Sequence, residues 1–229
     1  MLCWRMLLKL EKHIGRQLVL NIKTLNPFEA ALKAMRNPMN SWSMSDSEWI
    51  KPYEDVFSCY HVGEMDKDLS LRLQKAGSEH CKHLRMIHAF ADITAGLYWH
   101  KQLDTYRIGV EKISCSTMHK LMARPLTEDD FEKDCMNEQY THFMLDSING
   151  SMEAYKLCKD QDHKQEIWRG IIQALPESYL QTRTYMFSYA ALRNIVRQRE
   201  GHKLAEWKIF IDWVHTLPYA ELFIFDNDQ

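Results

Sequence analysis

Little in this chain of 229 residues belongs to a linker, a leader or a disulfide scaffold. Its six cysteines, Cys3, Cys59, Cys81, Cys115, Cys135 and Cys158, form no Cys-x-x-Cys pair and keep no framework spacing. That excludes a redox motif and a small stapled domain, and the cysteines read as reduced thiols of a cytoplasmic protein. No charge of one sign prevails: 29 Lys and Arg stand against 31 Asp and Glu, a formal charge of −2. A broad electrostatic footprint for nucleic acid or an anionic membrane is therefore missing, and any bound anion is expected to be small. Long apolar runs are missing too. The opening MLCWRMLLKLEKHIGRQ is apolar in tint, but Arg5, Lys9, Glu11 and Lys12 interrupt it before a signal core or a membrane span can form. Repeats, low-complexity tracts and a serine or cysteine triad are likewise not found. What is present is a globular composition, 45% hydrophobic, 11% aromatic and 26% charged, with material for one continuous core. The expectation is a soluble protein of one domain over residues 1–229, with 1–17 as an N-terminal extension.

Local signals predict a mixed fold. Residues 18–25, LVLNIKTL, read as a strand, and Asn26-Pro27 opens a helix that Asn37-Pro38 ends. From 40 to 65 the chain is rich in Ser and aromatics without a period and reads as loop with one helical turn. Residues 68–76 predict a short helix stopped by Gly77. Residues 84–95 predict a strand feeding a helix over 96–107. Thr127, followed by Glu128, Asp129 and Asp130, predicts a helix start, with Asn149-Gly150 as a break further on. A helix over 163–174 closes at Leu175-Pro176. A strand over 182–189, a helix over 190–200 and a last helix over 204–215 follow.

The densest set of ligand-binding residue types lies between Gly96 and Lys120, GLYWHKQLDTYRIGVEKISCSTMHK. Gln102, Asp104, Thr105, Tyr106 and Arg107 follow the apolar Leu97, Tyr98 and Trp99, and Ser114, Cys115, Ser116 and Thr117 form a second polar knot. Aromatic walls with a few convergent donors suit a small-molecule pocket; an amphipathic helix followed by a Ser/Thr-rich turn is the alternative. Arg193, Arg197 and Arg199 on one helix suit a small phosphate, because guanidinium forks grip it bidentately. A solvated helix face is the other reading. His80, Cys81 and His83 invite a metal, but no second ligand pair has a recognisable spacing, and no metal is expected. Cys115 with His119 as base ranks below a binding role.

Taken in order, these pieces resemble the flavin-dependent thymidylate synthase family over most of residues 18–215. The family hallmark is Gln-Leu-x-Arg-His-Arg followed by a Ser-rich loop. Gln102, Leu103 and Arg107 match it, Thr105 and Tyr106 stand where the first Arg and the His would be, and Ser114 or Ser116 fits the loop serine. Glu111 is out of register and the loop's terminal Arg-Tyr is absent. Asn194 and Arg199 keep a family spacing, while Ser188 and Ala190 replace its Asn-x-Arg. His202 with Ala205-Glu206-Trp207-Lys208-Ile209 resembles the family's end segment.

The resemblance implies an α/β (α+β) fold with a central, mostly antiparallel sheet flanked by helices. It implies FAD as cofactor, dUMP or a similar pyrimidine deoxynucleotide as substrate, and NADPH and methylenetetrahydrofolate in a catalytically active member. Sites in such proteins lie between the subunits of a homotetramer. His80, Thr105, Tyr106, Arg107 and Asn194 are the expected cofactor contacts, and Gln102, Ser114, Ser116 and Arg199 the expected substrate contacts. No catalytic side chain is assigned, since the flavin carries the hard chemistry. The alternative is a non-catalytic or repurposed nucleotide-binding or assembly protein that retains the fold.

Overall fold

The computed structural model describes residues 26–50 and 59–225, so the strand expected at 18–25 lies outside the described residues. Helix α1, Pro27–Arg36, begins where its cap requires: the Asn26 side chain accepts from the Phe28 amide at 2.9 Å, and Pro27 at the first turn has no amide to leave unpaired. It buries Ala31, Leu32 and Met35, which share one helix face by their spacing. The segment read as loop is more ordered than expected. It holds a 3-10 turn at Trp42–Met44 and two short antiparallel strands, β1 Glu48–Ile50 and β2 Cys59–His61, with Trp49 opposite Tyr60. Their side chains stay largely exposed, so no alternation marks them in sequence.

Helix α2, Glu64–Lys75, starts ahead of the expected Asp68. Its cap comes from elsewhere in the chain: the Asp46 carboxylate accepts from the Met65 amide at 2.8 Å and the Asp66 amide at 3.1 Å. After the helix the chain turns at Gly77, whose φ of 118° an L side chain rarely adopts.

The chain divides into two compact units. The first comprises residues up to His88, Ser188–Arg193 and His215 onward. Its apolar centre is built on Leu32, Val62, Leu84, Ile87, Tyr189, Leu192 and Phe223. Phe28 packs edge-on to Tyr189 and Tyr219 at centroid distances of 5.9 and 5.5 Å. Two polar groups are enclosed with it. Arg36 donates to Asp66 at 2.5 Å, both almost wholly buried, and the hydroxyls of Ser45 and Ser47 donate to the other Asp66 oxygen at 2.6 and 2.5 Å. His83, 3% exposed, lies 2.8 Å from the Ser70 hydroxyl, which accepts from Gln74 at 3.1 Å.

The second unit comprises Ala89–Phe187 and Asn194–Val214. Strands β3 His88–Gly96, β4 Val110–Ser114 and β5 Leu180–Ser188 form a sheet in the order β3-β5-β4, with β4 antiparallel to β5 in a register that sets Lys112 opposite Tyr185. The serine-rich loop is thus partly an edge strand, which the sequence hides because most of β4 is exposed. Helix α3, Leu97–Leu103, stops four residues short of the expected Arg107. The short helix α4, Thr117–Lys120, follows β4.

The helix expected after Thr127 is only a 3-10 turn over Glu128–Asp130, closed by a Thr127/Asp130 capping box. Phe131 then goes extended and bridges Tyr179, which pulls the chain out of helix. Helix α5, Glu138–Leu157, is capped by Asn137 instead and runs unbroken through Asn149-Gly150. Asn149 does not break it because its side chain is held outside the helix, accepting from the Leu126 amide and donating to the Leu126 carbonyl. Helix α6, Gln161–Ala174, completes a hairpin whose core includes Phe131, Met144, Ile148, Met152 and Ile171. Helices α7 Tyr189–Arg199, α8 Ala205–His215 and α9 Ala220–Phe223 finish the chain, the first two close to their predicted limits. The architecture is α+β, small antiparallel sheets flanked by helices.

Two outcomes follow for the first unit. Asp66→Ala leaves the Arg36 charge buried without its partner and should destabilise the protein by about 3 to 5 kcal/mol in urea titration, whereas Arg36→Met with Asp66→Leu should recover much of the loss. His83 supplies a pH dependence, because burial holds its ring down to about 4 from 6.5. The folded ring takes up a proton less readily than the unfolded one, so acid favours unfolding between those values. The contribution is complete above about 6.5 and is lost as pH falls toward 4, up to about 3 kcal/mol. Denaturation midpoints at about pH 7 and about pH 5 should therefore converge in His83→Gln relative to the parent chain.

Candidate functional site

The second unit gathers a ligand-competent cluster around Trp207, which is fully buried on α8. The guanidinium of Arg199 lies over its indole, 4.6 Å from the ring centroid, and 5.5 Å from the Tyr106 ring. Stacking of this kind holds the charge in place without neutralising it. Arg199 Nε donates to the Tyr106 hydroxyl at 3.0 Å and Nη1 donates to Gln102 Oε1 at 3.3 Å. The indole Nε1 of Trp207 donates to the same Gln102 oxygen at 2.9 Å. The Tyr106 hydroxyl donates onward to Gln198 Oε1 at 3.0 Å, and Gln198 Nε2 donates to Asn194 Oδ1 at 2.9 Å.

Four of the expected contacts, Gln102, Tyr106, Asn194 and Arg199, thus share one hydrogen-bonded chain. The others are placed differently. Thr105 is exposed and donates to the Gln102 carbonyl at 2.7 Å, which ties off the end of α3. Arg107 is exposed beyond that helix. Ser114 is exposed on β4 opposite Arg183, and Ser116 is exposed just after the strand. His80 is exposed on a turn of the first unit. Of the three arginines, half-buried Arg193 donates to the Cys81 sulfur at 3.8 Å, Arg197 is exposed and Arg199 lies in this cluster. Trp207, named in the sequence only as part of the end segment, and Gln198, which no motif named, belong to the cluster. The signal for Trp207 was its place in the end segment, where a buried indole needs an acceptor.

Beneath this cluster, polar groups fix the turn that carries Tyr106. Asp104 accepts from Arg183 Nη1 at 2.9 and 3.1 Å and is paired with Lys112. Burial opposes its charge, but Lys112 and Arg183 outweigh that and hold its carboxyl below the usual range. Arg183 also donates to Gln181 Oε1 at 2.8 Å. His100 is fully buried, with Nε2 at 2.8 Å from the Gln181 carbonyl and Nδ1 at 3.0 Å from the Tyr185 hydroxyl. A carbonyl only accepts, so Nε2 carries the proton and Tyr185 donates to Nδ1. Burial lowers the His100 pKa and keeps that neutral tautomer. No group of three or more His, Cys, Asp or Glu among the described residues could hold a metal, and His83 is turned inward to Ser70.

The fold, a three-stranded sheet with helices in this order, is that of solved flavin-dependent thymidylate synthases. Two solved structures of the flavin dependent thymidylate synthase ThyX from Helicobacter pylori, both with FAD and dUMP, superpose with a TM-score of 0.63 at 19% identity. They cover 88% of this chain and 95% and 94% of their own. No family model matches the sequence, and no curated protein matches it. The likeness establishes the fold.

Because Asp104 anchors the turn, Asp104→Ala should leave half-buried Arg183 underpaired and cost roughly 1 to 3 kcal/mol in thermal or urea melts. Asp104→Asn, which still accepts from Arg183, should cost less.

Proposed function

We propose that this chain is a flavin-dependent thymidylate synthase-like protein that binds FAD and a dUMP-like pyrimidine deoxynucleotide. The observation that carries the reading is Arg199: a guanidinium laid on Trp207, beside Gln102, with no carboxylate partner among the described residues. The two Helicobacter pylori structures of the same fold hold FAD and dUMP. Arg199 and Gln102 serve the nucleotide, with Ser114 and Ser116 on the strand end as further donors. Arg107, Thr105, Tyr106, Asn194 and His80 are the cofactor contacts in this reading. The exposed guanidinium of Arg107 suits the anionic diphosphate of FAD. When bound, FAD supplies the hydride, and the protein's own part is to orient its ligands and exclude water. Turnover would draw on NADPH and methylenetetrahydrofolate, and the assembly is a homotetramer with sites between subunits. No helix of the described residues is long and apolar enough to cross a membrane, and the proposed location is the cytoplasm.

A second reading, a nucleotide-binding or assembly protein without turnover, is favoured by the replaced motif residues. Thr105 and Tyr106 occupy the Arg-His positions of the motif, and Ser188, 2% exposed, accepts from the Ala191 amide at 3.2 Å as a helix cap. A dUMP methylation assay separates the two.

Purified protein should be yellow, bind dUMP by calorimetry and run as a tetramer on sizing. Arg199→Ala should weaken dUMP by about 1.5 to 3 kcal/mol, roughly ten- to a hundredfold, without loss of fold. Arg199→Lys should recover little, since an ammonium lacks the planar fork. A colourless protein that takes up neither FAD nor dUMP overturns the proposal.

A further inference from the structure

Helix α5 carries two apolar faces. The inner one packs into the hairpin core through Met144, Ile148 and Met152. The outer one runs Tyr140, Phe143, Ser147, Gly150, Ala154 and Leu157, at alternating steps of three and four residues, which keeps them on a single stripe. Each of the six is exposed, Phe143 at 72% and Leu157 at 75%. A surface helix needs one apolar stripe, toward its own core, and its solvated side is ordinarily charged. This stripe holds no charged residue. Gly150 is an independent sign. Glycine is the poorest helix former apart from proline, and the local packing does not require it, since a Cβ there would meet nothing within 4 Å. A close approach to the α5 backbone from beyond the described residues is the use that remains for it.

The stripe is complementary to itself. Ser147 and Gly150, the smallest residues, stand in its middle, and Tyr140, Phe143 and Leu157 stand toward its ends. A second α5 turned end for end about that middle sets Ser147 against Gly150, Phe143 against Ala154 and Tyr140 against Leu157. The backbones then cross where the side chains are smallest, and the phenyl ring meets a methyl. A parallel copy in register would stack phenyl on phenyl and leave a void where glycine meets glycine.

We propose that the outer stripe of α5 is a docking face for α5 of a second copy of this chain, packed antiparallel about a two-fold axis between Ser147 and Gly150. Such a contact is isologous and closes on itself. Its rim opposes it: Asp146 and Glu153 lie along one edge of the stripe, and the same rotation brings Asp146 toward Glu153 of the second copy. Area sets the strength. The 20 residues of α5 offer a strip about 30 Å long and about 10 Å wide, less than half of the roughly 800 Å² per partner of a standard interface. The association is therefore weak and reversible, on the order of 10 to 100 µM for this contact alone. It involves no ligand, so a chain that bound neither FAD nor dUMP would still carry it.

The test is sedimentation equilibrium of the full-length protein from low to high micromolar concentration, with FAD and dUMP titrations alongside. At the top of that range Phe143→Glu and Ala154→Lys should each halve the parent's association number, weakening the contact at least about tenfold. The double variant should recover most of the loss, because the new carboxylate of each copy meets the new ammonium of the other. Recovery cannot arise within one chain, where the two positions are three turns apart, about 16 Å along the helix. Gly150→Gln should dissociate the pair too, yet unfold no more readily than the parent at a dilution where both are dissociated, since glutamine is the better helix former. Asp146→Asn should tighten association about threefold by relieving the rim. A parent whose association number Phe143→Glu leaves unchanged overturns the proposal. A double variant that stays as dissociated as the single ones overturns the antiparallel second copy and leaves the stripe to a partner of another sequence. Parental association in Gly150→Gln removes the close crossing and overturns the register with it. Loss of FAD or dUMP binding by the parent sinks the function proposed above and leaves this contact standing.

Discussion

The second unit depends on a single buried indole. Trp207 contacts Trp99 and Phe210 with ring centroids 5.0 and 5.8 Å away, so it is part of the core. Its one polar atom must find an acceptor there, and Gln102 is that acceptor. The ring also carries the Arg199 guanidinium, 4.6 Å from its centroid. Packing and recognition are thereby coupled at one residue: the side chain that fills the core also decides which way an amide points and where a cation rests. Loss of the ring would be felt in both.

Around that point the polar groups form connected chains instead of isolated pairs. Asp104, Lys112, Arg183 and Gln181 run under the turn, and His100 and Tyr185 close the inner side of β5. Each member finds donors and acceptors of the right sense, which is the condition under which buried polarity stabilises one conformation. The first unit repeats the pattern with Arg36, Asp66, Ser45 and Ser47. In both units rigidity is gained where a neighbouring loop or turn would otherwise be free.

Elements whose signals are local were legible in the sequence. α1 announces itself by Asn26-Pro27, α6 ends at Leu175-Pro176, and α7 and α8 lie close to the limits that their sequence signals set. Elements fixed from a distance were not. The cap of α2 comes from Asp46, the tolerance of Asn149 inside α5 comes from Leu126, and β4 exists because β5 lies beside it. The site divides in the same way. Gln102, Tyr106, Asn194 and Arg199 were named through a motif, but the part of Trp207 shows only when an indole and an amide distant in sequence meet.

Tyr219 carries a further consequence. Its φ of 56° is left-handed, a conformation that suits glycine, yet its hydroxyl accepts from the Val62 amide at 3.1 Å and its ring packs on Phe28 and Phe223. Backbone preference and side-chain duty are in conflict there, at a strain of order 1 kcal/mol. A procedure that chose residues by local backbone fit would write glycine, relieve the torsion and discard the pin between β2 and the chain's end. The position is informative because an unfavourable residue stands there, and its partner amide, not its torsion, is the physical reason for it.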